Sequence, residues 1–295
     1  MNPWLPTAPC TPLACARHDG RVRGRPAAVA LLLAGCAFVL AGALAAPFAL
    51  MLGAAPRERL IRRWAYGVVR AFGVRVRVVG APEAGAPGAL VVANHISWLD
   101  IPLVAAVFPG RMLAKSEIRN WPLFGRLAAA GGTLFVERDR LRVLPATVGR
   151  VAAALRGGSR VVVFPEGTTW CGRGGGRFGP AVFQAAIDAN TAVRPVRISY
   201  RTPPPRGSAA ARPFGHDGSA PAEHDAPAGA AAFVGDDPLI ASLWRVVTAA
   251  GLTAEIRVLP PIPADSGPDR RALARLAQTA VANDSANRSA ESVHH

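Results

Sequence analysis

The 295-residue chain reads as an α/β domain, a mostly parallel sheet layered with helices, preceded by an N-terminal membrane-associated helical segment. Three observations lead there. Short β-branched runs alternate with helical stretches from residue 74 onward, the pattern of strands joined by crossover helices. A run of 31 residues, Pro26 to Pro56, carries no charge. Apolar residues make up 51% of the chain and charged residues 18%, which excludes a disordered protein.

Residues 1–25 form a basic tail containing Arg17, Arg21, Arg23 and Arg25, whose removal should be tolerated. Residues 26–72 form the membrane-inserted segment and an interfacial helix. As one helix the uncharged run would extend ~46 Å, more than the ~30 Å hydrocarbon core, so it spans once with tilt or breaks at Pro47 into two shallow pieces. A secretory signal shares the basic start, and Ala43-Leu44-Ala45 imitates a cleavage site, but the uncharged run continues well past it. Over 57–72, Ile61, Trp64, Ala65, Val68, Val69 and Phe72 recur at helical spacing, with Arg59, Arg63 and Arg70 on another face. Such a helix suits an anionic bilayer surface, or equally a core contact with a solvated basic face.

The catalytic core is expected over 73–200, with strands at 74–79, 89–92, 133–136, 160–164 and 193–200 and helices near 98–107, 120–130, 143–156 and 180–189. Residues 201–236, rich in Pro, Ala and Gly, read as a flexible insertion. Residues 237–282 return to the domain with a helix at 237–251, a late edge strand at 254–262 and a helix at 268–282, and 283–295 form a tail.

The net charge of +15 divides into +16 for residues 1–200 and −1 for the remainder. Nucleic acid, an anionic membrane and an anionic substrate are the candidate partners. Aromatic residues are only 6% of the chain and do not interleave with the basic runs, so no nucleic-acid platform is expected. Cys10, Cys15, Cys36 and Cys171 form no CxxC pair and have no histidine at ligand spacing, so no metal site is expected either.

Five of the six histidines lie in tails or loops; the sixth, His95, follows the strand ALVVA in Asn94-His95-Ile96-Ser97-Trp98-Leu99-Asp100. Strand C-terminal ends are where parallel α/β sheets place ligands. With His95 in the loop and Asp100 in the first turn of the next helix, the carboxylate can fold back onto an imidazole nitrogen and leave the other free to take a proton. Asp100 could equally serve only the helix start. Gly132 to Arg138 ends a strand with a guanidinium fork suited to phosphate, and Phe164-Pro165-Glu166-Gly167-Thr168 ends another with a carboxylate and a tight turn. Pro195 inside a strand argues for an edge or an irregular bend. The glycine-rich loop 172–179 could cradle an anion or simply be flexible.

The order NHxSxxD at 94–100, GxxFxxR at 132–138, FPEGT at 164–168 and a proline-bearing strand at 193–196 resembles the glycerolipid acyltransferase family, typified by 1-acylglycerol-3-phosphate acyltransferases, over about residues 60–200. The resemblance implies an O-acyltransferase of phospholipid biosynthesis moving an acyl group from acyl-CoA or acyl-ACP to a membrane lysolipid, most plainly 1-acylglycerol 3-phosphate, with no cofactor. It implies His95 as general base and Asp100 as its orienting partner. It assigns Arg138 to the acceptor phosphate and Glu166, Gly167 and Thr168 to the acceptor-binding turn, with Asn94, Ser97, Pro165 and Pro195 completing the motifs. Thr169 stands where the family often has Arg or Ser, and Trp170-Cys171-Gly172 follows, so the resemblance leaves the head-group preference open; an ornithine-type lyso-lipid is the alternative acceptor. A Ser97 or Cys171 lipid hydrolase is the rival class, though no GxSxG elbow occurs. Thioester donors are made in the cytoplasm, so the catalytic domain is expected on the cytoplasmic side of the cell membrane.

Overall fold

The structure is a computed structural model that describes residues 6–18, 20–80, 88–121, 125, 128–129, 131–137, 140–203, 226–266 and 269–291. In chain order its elements are α1 (Pro12–Cys15), α2 (Arg25–Leu50), α3 (Ala54–Ala71), β1 (Arg75–Val79), β2 (Leu90–Ala93), α4 (Asp100–Val107), β3 (Arg111–Lys115), β4 (Leu134–Val136), α5 (Leu144–Arg156), β5 (Val161–Val163), α6 (Phe183–Asp188), β6 (Val193–Thr202), β7 (Ala226–Pro227), α7 (Leu239–Thr248), β8 (Thr253–Val258) and α8 (Arg270–Glu291). The strands form one sheet in the order β1-β8-β6-β2-β5-β3-β4, with β7 beside β6. Every pairing is parallel except those of β6 with β8 and with β7. The expected α/β class is therefore what the chain adopts.

Strand β2 shows why a continuous apolar run marks the middle of such a sheet: helices cover both faces, so both sets of alternating side chains must be apolar. Val91 and Ala93 enter the layer built with Val68 and Val69 of α3 and Phe72 just past its end, Leu103 and Val104 of α4, and Val246 and Val247 of α7. Leu90 and Val92 enter the opposite layer, with Val151 and Leu155 of α5, Phe183 of α6, and Leu273 and Ala277 of α8.

Several expectations change. Strand β3, RMLAK, lacks the β-branched residues that mark the other strands and was not foreseen. Strand β8 is not an edge: it lies between β1 and β6. Nor does Pro195 mark an edge, because β6 is interior, and Pro195 pairs in register with Val92 of β2. On the other side Val193 exchanges both backbone bonds with Ile262, and Leu259 N–H donates to Pro195 O, so the ladder there uses only the carbonyl of the proline. Residues 204–225 lie outside the described residues, but the end of the expected insertion is structured: Ala230, Ala231, Ala232 and Val234 are buried, and Phe233 N–H donates to Ile96 O. Small alanines pack closely without the large apolar groups whose absence suggested a loop.

Helix α2 is continuous through Pro47, and the chain turns only at Met51–Gly53 before α3 returns along it. Pro47 has no N–H to give the carbonyl four residues back, so one bond of the ladder is missing, but only three helical residues follow it before the chain turns. Glycines allow the two helices to meet closely: a Cβ at Gly35 would strike Phe72, one at Gly42 would strike Trp64, and one at Gly67 would strike Phe38. Trp64 Nε1 donates to Phe38 O at 3.2 Å.

The tail is not idle. Arg23 donates to Val247 O at 2.8 Å and Gly73 O at 2.7 Å, and Val22 pairs with Ala249. Burial lowers the Arg23 pKa, with the nearby Arg75 adding to the shift. Removing residues 1–25 should therefore destabilise the fold, and Arg23→Ala alone should cost roughly 2 kcal/mol, the scale of charge-assisted bonds left unmade. Chemical denaturation of the full chain against Arg23→Ala checks this; equal midpoints would return the tail to a dispensable role.

Candidate active site

His95 lies just past the C-terminal end of β2, and α4 begins at Asp100. That places the imidazole in the loop and the carboxylate in the first helical turn. His95 Nδ1 is 2.8 Å from Asp100 Oδ2. The same oxygen accepts from Ile96 N–H at 2.6 Å and Ser97 N–H at 2.8 Å, while Oδ1 accepts from the Tyr200 hydroxyl at 2.6 Å. Four donors on one fully buried group fit an ionised carboxylate, which only accepts. Burial, reinforced by the Asp100 charge, pushes the Tyr200 phenol well above its usual pKa and keeps it a donor. With Nδ1 donating to Asp100, the neutral ring carries its lone pair on Nε2, the nitrogen left for a substrate.

The ring is also held by its faces and backbone. Phe164 stacks on it at 4.1 Å between centroids and 17° between planes. His95 N–H donates to Glu166 Oε2 at 2.8 Å, and His95 O accepts from Trp170 N–H at 2.7 Å. Asn94 carries the β2 to β6 ladder one step beyond Ala93: its Nδ2 donates to Ile198 O at 2.9 Å and its Oδ1 accepts from Ile198 N–H at 2.8 Å. Ser97 is fully buried, and its Oγ accepts from Leu99 N–H at 3.3 Å. Tyr200 was read from sequence only as the end of a strand; a polar tip on a strand otherwise buried on that face was the available signal.

The FPEGT turn stands against this loop. Pro165 O accepts from Gly179 N–H at 2.8 Å, and Gly167 takes a φ of +74°, the left-handed region that glycine enters without strain. Thr168 follows it, half-buried. Glu166 Oε1 accepts from Gly176 N–H at 2.9 Å, so its carboxylate braces the His95 loop against the glycine-rich loop. Burial raises the Glu166 pKa from 4.5 to about 7; the two N–H donors oppose the shift, and the Asp100 charge adds to it.

The folded chain thus holds the Glu166 proton more tightly than the unfolded chain does. Its contribution to stability is full below the ordinary carboxyl pKa and is lost as pH rises through about 7. Between pH 5 and 8 the loss should be about 2 kcal/mol, and Glu166→Gln should flatten that slope. Thermal unfolding across this range checks it, with parallel profiles for the two proteins as the contrary result.

A cavity of about 370 Å³ opens beside His95 and Glu166, walled by the loop Cys171–Gly176 and by Arg197, Ser199 and Arg201 of β6. Arg197 Nη1 donates to Val281 O at 3.1 Å. Arg173 and Arg201 give the cavity a cationic lining suited to an anionic head. Arg138 lies outside the described residues. Glu166 and Asp100 hold the backbone N–H groups of residues 95–97, so those three are not free for a developing oxyanion.

Residues 75–199 match the family described as Acyltransferase. The lyso-ornithine lipid O-acyltransferase of Pseudomonas aeruginosa is 39% identical over 227 residues, 76% of this chain and 78% of that protein. The chain belongs to the acyltransferase family. Another relative of this acyltransferase, the 1-acyl-sn-glycerol-3-phosphate acyltransferase of Neisseria meningitidis, is 34% identical over 74% of this chain and 77% of its own. Among solved structures, the 1-acyl-sn-glycerophosphate acyltransferase of Thermotoga maritima shares the fold with a TM-score of 0.61 at 17% identity, covering 88% of this chain and 93% of that one. His95, Asp100 and Glu166 of the acyltransferase lie inside the matched span, Ala228, Gln278 and Val281 of the cavity wall come from beyond it, and the tail and α2 precede it.

Proposed function

We propose that the enzyme moves a fatty acyl group from acyl-CoA or acyl-ACP to the free hydroxyl of 1-acylglycerol 3-phosphate, giving phosphatidic acid. The observation that carries this reading is His95, held at Nδ1 by a buried carboxylate and bordering a cavity with a cationic lining. The acceptor hydroxyl attacks the thioester carbonyl as His95 Nε2 takes its proton, and Asp100 stabilises the imidazolium that forms. Collapse of the tetrahedral adduct breaks the carbon–sulfur bond. The departing thiolate then takes the proton back from His95, leaving an ester, a free thiol and a neutral ring. A thioester is already activated, so no cofactor enters these steps.

A lyso-ornithine lipid is the second reading, favoured by the 39% identical relative. Its head offers a carboxylate where the glycerol lipid offers a phosphate, and Arg173 and Arg201 could receive either. Incubating the purified full chain with both donors and a panel of lysolipids separates them. Phosphatidic acid as the main product supports the first reading, and ornithine lipid as the main product replaces it with the second.

The protein is membrane-associated. Helix α2 is the one helix among the described residues long and apolar enough to cross a bilayer, and Leu33, Leu44, Phe48 and Met51 stand exposed along it and its turn. Yet Ala28 and its neighbours Leu31 and Leu32 dock into the core beside α3, which favours a hairpin inserted by its tip over a free span. The exposed Arg59, Arg63 and Arg70 would then meet anionic headgroups at ~1 kcal/mol per charge, with the catalytic domain on the cytoplasmic side. The full chain should stay with membranes through a high-salt wash and leave only with detergent. Recovery in the soluble fraction, or a mature N-terminus at Ala46, would contradict the arrangement.

A further inference from the structure

Three of the four cysteines meet in one place. Cys10 and Cys15 come from the N-terminal segment and Cys171 from the loop after FPEGT, and their sulfur atoms all lie within 4.8 Å of one another. No local pattern marks this group, since Cys10 and Cys15 are separated by four residues and the third thiol comes from the far side of the catalytic core. Cys10 and Cys171 are buried with Ala232 and Val234, while Cys15 keeps partial access to solvent. Cys36, on α2, is exposed and stands outside the group.

We propose that Cys10, Cys15 and Cys171 form a zinc site that clasps the N-terminal segment to the wall of the catalytic cavity. Three features of the chemistry agree. Zinc takes thiolate sulfur at about 2.3 Å in a tetrahedron, which sets the sulfurs roughly 4 Å apart, so the trio needs only a small contraction to close on an ion. A disulfide would use two sulfurs and leave the third without a role. Two backbone N–H groups already point at the sulfurs, from Cys171 to Cys10 and from Arg173 to Cys171, the outer-sphere donors that thiolate sites use to spread their charge. The guanidinium of Arg173 lies close enough to Cys171 to offset part of that charge. On binding, the thiols give their protons to solvent, and the partly open side at Cys15 leaves the fourth position to water.

The site would have a mechanical consequence. The residue before Cys171 is Trp170, whose N–H holds His95 O, and Pro6 of the same N-terminal segment sits against Gly167 of the FPEGT turn. An ion on the three sulfurs thus fixes the segment over the two loops that position the base.

The test uses the reduced full-length protein in detergent, freed of metal and titrated with Zn2+ against a coloured chelator, then with Co2+ as a spectroscopic probe. The expected result is one ion per chain, a thiolate-to-cobalt charge-transfer band, and affinity reduced at least ~100-fold in Cys10→Ser and Cys171→Ser but unchanged in Cys36→Ser. Alkylation of the unmutated protein guards against misfolded variants: Zn2+ should protect three of the four thiols and leave Cys36 to react. Absence of Zn2+ binding by the reduced protein, equal binding by Cys171→Ser, or equal alkylation with and without Zn2+ would overturn the proposal.

Discussion

His95→Ala should lower acyl transfer by roughly 10²–10⁴-fold, the contribution of a positioned general base, while leaving the protein folded and membrane-bound. The ring is a partner for Asp100 and a stacking surface for Phe164, but it stands at the cavity edge, with 19% of its side chain exposed. Truncating it should disturb the core less than the chemistry. The loss should fall on kcat rather than on the Michaelis constant of either substrate, because the proton moves only in the transition state. A folded His95→Ala protein with near-normal turnover would remove the base from the mechanism.

Asp100→Asn should produce a loss of similar order by a different route. Three donors converge on Asp100 Oδ2, so the amide must place its oxygen there and turn its NH2 toward Tyr200, whose hydroxyl can rotate to accept. The imidazole then keeps its orientation but loses the charge that stabilises its protonated form. We expect kcat reduced roughly 10²–10³-fold and stability reduced by about 1–3 kcal/mol for the rearranged buried bonds. Since the pair acts as one unit, the double variant His95→Ala with Asp100→Asn should be scarcely slower than His95→Ala alone. Additive losses would mean that Asp100 works independently of the histidine. Paired kinetics and denaturation on the three variants supply both readings.

What the sequence revealed and what it hid follow one physical rule. Strands β2 and β5 were legible because burial on both faces demands uninterrupted apolar, β-branched residues. The loop placement of His95 and the helical start at Asp100 were legible because five residues separate them, which a single helix cannot bring face to face. Strand β3, with its polar ends, carries no such demand, and the buried alanines at 230–232 satisfy it with side chains too small to register. Long-range partners were the hardest to see. Tyr200 reaches Asp100 across the β2 to β6 pairing, and Cys171 reaches Cys10 across the catalytic core, so neither contact leaves a local pattern.

The central claim is direct transfer from thioester to lysolipid by a single base, with no acyl group held on the protein. Rapid quenching of the purified enzyme with a labelled thioester and 1-acylglycerol 3-phosphate, followed by mass spectrometry of lipid and protein together, tests it most directly. The account predicts one new ester on the lysolipid for each thiol released, and an unmodified protein at every time point. Free fatty acid as the product, with an acyl group trapped on Cys171 or Ser97, would contradict it.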